Sequence, residues 1–169
     1  MKWLARRKAE SIYGIEIHGS NEFLARTRDA LRLLYSTPGF EAIQQNLAIL
    51  RQGKHSGMRP WSGKPTFVVG TATWKHSSLW YAGAIAHDAT HAMLYREAKK
   101  GAGGREPAGT AWTGPEAERK CLAFQKQVLA HLGAEKRTIA YIDQWAQKPT
   151  YQGESRGWRG WLNYARRRW

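Results

Sequence analysis

The chain has 169 residues, 42% of them hydrophobic, and a formal net charge of +14. That length supports one domain with a real core, and nine Trp exclude a disordered chain, which has nowhere to bury them. A single cysteine, Cys121, excludes an intrachain disulfide, and no apolar run approaches the roughly 18 residues of a membrane span.

After Arg6, Arg7 and Lys8 no apolar run follows, so no signal peptide is read and a soluble, cytoplasmic chain is the default expectation. Ile15 and Ile17 alternate with Glu16 and His18, which predicts a short strand. Ser20 or Asn21 then caps a helix carrying Phe23, Leu24, Ala30, Leu31, Leu33 and Leu34, and Thr37-Pro38-Gly39 breaks it. A second helix is expected through Ile43, Leu47 and Leu50 to near Gly53, making a helical hairpin packed on the strand. Residues 53–65 read as a loop, Thr66 to Gly70 as a strand, and 71–78 as a turn or edge segment. A long helix is expected from about Leu79 to Lys100, closed by Gly101-Ala102-Gly103-Gly104. Thr113 is the expected cap of the next helix, with Pro115 in its first turn and Gly133 at its end. A last helix over 135–147 carries Ile139, Ile142 and Trp145. These elements predict an α+β fold, a mostly helical single domain over 1–169 with a small sheet, and a basic aromatic tail at about 149–169.

His87 and His91 lie one helical turn apart on a stripe with Trp80, Ala84, Leu94 and Ala98 that is otherwise apolar. Two inward imidazoles at that spacing are a ligand pair for Zn2+; the same pattern also suits two hydrogen-bonded core histidines. On the following helix, Cys121, Leu122, Val128, Leu129 and Leu132 form the apolar stripe, and one turn before them stands Glu118. A carboxylate on a buried stripe is costly unless paired, protonated or bound to metal. Glu116 shares a more polar stripe with Lys120, Ala123 and Gln127, where the helix dipole alone accounts for it. Glu118 is therefore preferred as the third ligand; Cys121 reads first as a small buried hydrophobe, and second as a group able to approach the metal from the Glu118 stripe. Tyr81, Tyr95, His76 and His131 are the residue types available to stabilise an oxyanion, while His18 and His55 have no partner at metal spacing.

His87-Asp88-Ala89-Thr90-His91 resembles the HExxH helix of zinc metallopeptidases, with an HDxxH variant that places Asp where they carry Glu. Glu118-Arg119-Lys120-Cys121-Leu122-Ala123-Phe124 resembles the E-x-x-A-x-x-F helix of the glutamate-type zincins, and the resemblance spans residues 66 to 132. It implies a zincin-like fold, zinc on His87, His91 and Glu118, Asp88 as general base, a peptide or protein substrate, and Thr66 to Gly70 as the substrate-aligning edge strand. In the family the glutamate takes a proton from the attacking water and passes it to the leaving amine. Asp has one methylene less, a reach shorter by about 1.5 Å.

Residues 153–169 interleave Arg with Trp158, Trp161 and Tyr164, a pattern that suits nucleic acid or an anionic surface. The spacing of three also suits a final amphipathic turn docked on the core with arginines outward, the preferred reading. The leading expectation is a zinc-dependent hydrolase, most plausibly a metalloprotease. The alternatives are a basic nucleic-acid-binding protein with a structural metal site, and a catalytically inactive zincin-like binding or effector module.

Overall fold

The structure, a computed structural model, describes residues 8–147. The chain opens on a hairpin of β1 (Lys8–Ile12) and β2 (Ile15–Gly19). Its two-residue loop is Tyr13-Gly14, with φ of 51° and 79°. A two-residue loop with both φ values positive matches the twist of the flanking strands. Glycine takes that conformation freely, and Tyr13 takes it with its ring stacked on Tyr35 at 4.4 Å. In β2, Ile15 and Ile17 are buried, while Glu16 turns to the other face and pairs there with Lys64.

Ser20 caps α1 (Asn21–Tyr35) by accepting from the Phe23 amide, and Phe23, Leu24, Ala30, Leu31 and Leu34 face the core. After α2 (Phe40–Asn46), Leu47 is already extended, with φ −130° and ψ 118°. The helix expected to run to Gly53 is thereby corrected: Leu50 lies in a strand, β3 (Ile49–Gly53). The reason is topological. β3 sits between two other strands, so it carries a short apolar run rather than alternation, and Ile43, Leu47 and Leu50 imitate helical spacing across the break.

The remaining strands are β4 (Gly57–Arg59) and β5 (Thr66–Gly70), in a mixed sheet of order β1-β2-β3-β5-β4. The β2–β3 and β3–β5 pairs are parallel, and both outer pairs are antiparallel. Two expectations change here. The segment 53–65 is not all loop, because it contains β4. Thr66–Gly70 is not an edge strand, because β4 covers it.

Residues expected to turn form α3 (Thr71–His76), and Ser77 then caps α4 (Ser78–Gly101) through the Trp80 amide. Helices α5 (Thr110–Thr113), α6 (Pro115–His131) and α7 (Lys136–Ala146) complete the described chain. Thr113 is not the cap of α6: it closes α5, and Gly114 occupies the cap with Pro115 after it. Only glycine fits there, since a Cβ at Gly114 would lie 2.7 Å from the Thr110 carbonyl oxygen.

Helices α1, α3 and α4 pack on the sheet, α6 packs on α4, and α7 packs on α6. Because α4 is covered on both sides, Trp80, Tyr81, Ala82, Gly83 and every residue from Ile85 to Ala92 are buried. The α4–α6 contact is close at Gly83, where an added Cβ would meet the Leu129 side chain at 3.0 Å. The fold is α+β, mostly helical with a small sheet. No described helix is long and apolar enough to cross a membrane. The tail expected at about 149–169 lies outside the described residues.

Candidate metal centre

α4 presents His87 and His91, and α6 presents Glu118 and Cys121, to one point between the two helices. His87 is 6% exposed, His91 4%, Glu118 3% and Cys121 0%. The Nε2 atoms of the two histidines are 3.2 Å apart. Glu118 Oε1 lies 3.1 Å from His91 Nε2, and Glu118 Oε2 lies 3.5 Å from His87 Nε2. Buried His87, His91 and Cys121 can hold a metal ion, with one donor atom from each within 4.8 Å of the others.

The far side of each imidazole explains its orientation. His87 Nδ1–H donates to Gln125 Oε1 at 3.0 Å, and His91 Nδ1–H donates to the Trp112 backbone carbonyl at 2.6 Å. A carbonyl only accepts, so each neutral imidazole keeps its proton on Nδ1 and turns the Nε2 lone pair inward. Two lone pairs and a carboxylate therefore converge in a dry space, which is repulsive unless a cation sits among them. This outer support of metal-binding histidines by carbonyl groups is what orients such ligands in known sites. The spacing fits as well. Nitrogen or oxygen ligands at about 2 Å from zinc in a tetrahedron have edges of about 3.3 Å. The 3.2 Å edge between the two imidazoles is close to that value, and Glu118 turns a different oxygen to each of them, at 3.1 and 3.5 Å.

Without a metal the cation is a proton. Burial pushes the His91 imidazolium toward neutrality, but the Cys121 sulfur and the Glu118 carboxylate outweigh it, raising its pKa well above the ordinary imidazole value. Burial pushes the Cys121 thiol up, with His91 acting the other way. Metal uptake must displace these protons.

Local sequence positions each donor. The close Gly83–Leu129 contact brings α4 onto α6, and the Gly114 cap sets α5 so that the Trp112 carbonyl meets His91. Glu118 falls in the first turn of α6, where the helix dipole favours negative charge. A small cavity of about 20 Å³ adjoins this centre, lined by Ser56, Phe67, Thr73, Ala84, His87, Asp88 and Gln125. Asp88 is 4% exposed, and Ser56 Oγ and Thr73 Oγ1 are hydrogen-bonded at 2.8 Å.

The structure thus brings together His87, His91, Glu118 and, along the cavity, Asp88. Glu116 is instead exposed and pairs with Lys120 at 3.2 Å. Tyr81 is removed from the oxyanion candidates: it is fully buried and donates to Thr27 Oγ1, whose own proton goes to the Phe23 carbonyl. Tyr95 donates to Glu106 at 2.7 Å, and His76 and His131 are exposed. His18 pairs with Glu16.

Cys121 stands on the Glu118 stripe, as the sequence has it, and two contributors have no place in the sequence reading. Gln125 shares the Glu118 face at a spacing of seven, a readable signal. The Trp112 carbonyl carries no side-chain signal. Gln125→Leu keeps the volume and removes the acceptor for His87 Nδ1, so metal affinity is expected to fall by about 10–100-fold in chelator competition. Unchanged affinity would show that Gln125 does not orient the ligand.

No family model, curated protein or solved structure matches this chain. The functional reading rests on the site's own geometry.

Proposed function

We propose that this chain is a zinc-dependent hydrolase of peptide or related amide bonds. His87, His91 and Glu118 would hold the metal, and Asp88 is the general base. One observation carries the reading: both Nδ1 atoms are committed to carbonyl acceptors, which turns both Nε2 lone pairs onto Glu118 beside the cavity that Asp88 lines. Bound zinc supplies Lewis acidity, polarising the scissile carbonyl and making water a better nucleophile near neutral pH.

The chain's own residues do the rest. Asp88 neighbours His87 on α4 and lines the same cavity, which supports its role as the base that takes the proton of the attacking water and returns it to the leaving amine. Gln125 and the Trp112 carbonyl fix the imidazoles before substrate arrives. The Ser56 and Thr73 hydroxyls line the same cavity, bonded to each other, with Ser56 Oγ also accepting from the Gly70 amide. Near-complete burial of the donors keeps bulk water from competing.

Zinc-loaded protein incubated with a mixed peptide library is expected to give new termini by mass spectrometry, with cleavage stopped by chelator and restored by zinc. A zinc-loaded chain that cleaves nothing sinks the proposal.

A second reading has its own observation. Cys121 lies within reach of both imidazoles, and a fourth protein ligand would close the site as structural metal sites are closed. Cobalt substitution separates the two. A closed site gives a sulfur-to-cobalt charge-transfer band that Cys121→Ser abolishes, together with no turnover.

A further inference from the structure

A second cavity, of about 260 Å³, lies along α4 beyond the metal centre, on the stripe that contains Ala92, Tyr95, Arg96 and Lys99. Its other wall is α2 and the β4–β5 connection, contributing Asn46 and Trp61. Two features of this cavity ask for a ligand.

Trp61 is 55% exposed, although its indole is fixed edge-on against Trp112 at 5.8 Å. A held but exposed indole is a stacking platform for a flat ring. Arg96 and Lys99 stand one turn apart at the rim. Arg96 uses one N–H on the Gln45 carbonyl and has others to give. Lys99 reaches the Tyr95 hydroxyl at 3.5 Å and the exposed Glu106 only at 3.9 Å.

We infer that this cavity binds a nucleotide, with the base on Trp61 and the phosphate between Arg96 and Lys99. A nucleotide combines a flat π face and an anion in one unit. The net charge of +14 favours its encounter with the chain. The nucleotide is either free or one unit of a single strand. None of the metal-binding side chains lines this cavity, so its failure leaves the zinc reading standing.

Titration calorimetry with adenosine monophosphate, adenosine, inorganic phosphate, N-acetylphenylalanine and an oligo-deoxyadenylate tests this directly. Saturable binding of the monophosphate is expected, with adenosine and phosphate each weaker by about tenfold or more. Trp61→Ala, and separately Arg96→Gln with Lys99→Gln, should each weaken it by about tenfold while zinc content is unchanged. Trp61→Phe should retain most of the affinity. Tighter binding of the oligonucleotide that Trp61→Ala abolishes supports a strand unit, and equal affinity supports a free nucleotide. Absence of saturable binding, wild-type affinity in Trp61→Ala, phosphate alone binding as well as the nucleotide, or N-acetylphenylalanine binding more tightly would each overturn it.

Discussion

Asp88→Asn is expected to lower peptide hydrolysis by about 10²–10⁴-fold, the usual worth of a general base, while zinc content stays at one per chain. The substitution keeps shape and volume and removes only the capacity to take a proton. Asp88 is 4% exposed and lines the cavity with His87. A role in holding the metal would show as lost zinc, and a role in catalysis shows as lost turnover at constant zinc. Asp88→Glu provides the complementary measurement. The added methylene extends reach by about 1.5 Å in a site with little free room, so turnover is expected to fall there as well. Wild-type rates in Asp88→Asn would remove Asp88 from the mechanism.

Glu118→Ala is expected to weaken metal binding by more than about 100-fold, beyond what loss of an outer supporting group costs. It should also destabilise the metal-free chain by about 3–5 kcal/mol, the typical cost of breaking a buried ion pair on one side. The carboxylate faces both Nε2 atoms at 3.1 and 3.5 Å with 4% side-chain exposure, so its removal leaves a raised-pKa imidazole without its anion. The pH dependence has a definite sign. His91 has a folded pKa above its unfolded value, so its stabilising contribution is fully present below the ordinary imidazole pKa and is lost as pH rises through the raised value. Metal-free wild type should therefore lose stability with rising pH in that window, and Glu118→Ala should flatten the dependence. With zinc present the trend reverses, because protons compete for the same lone pairs. Urea melts of both forms across this window check the prediction. An unchanged slope in Glu118→Ala would contradict the pairing.

Much of the site's framework was legible in the sequence. The His87–His91 turn, the Glu118 stripe and the long α4 and α6 helices follow from three- and four-residue spacing, and the structure places them with ends shifted by only a few residues. Burial distinguishes Glu118 from Glu116 as the stripes did. The sheet was harder to read. β1 is polar and half exposed, so it offers no alternation, and Tyr13-Gly14 is a weak hairpin signal because tyrosine seldom takes positive φ. β3 was hidden by an apolar spacing that continues that of α2, and β4 spans only Gly57–Arg59. Edge and centre are decided by strand order, which no local pattern encodes, and this is why Thr66–Gly70 was placed at the edge. A single buried stripe on α4 leaves Tyr81 available, whereas α1 covers a second face of the helix and buries Tyr81 against Thr27 and Phe23.

The central claim is that the convergence of His87, His91 and Glu118 exists to bind a metal. Elemental analysis of the purified chain, paired with melting in chelator, tests it most directly. About one zinc per chain, removed by chelator with a lower thermal midpoint and lost in Glu118→Ala, is the expected result. A chain with no stoichiometric metal, whose melting chelator and added zinc leave unchanged, would contradict it.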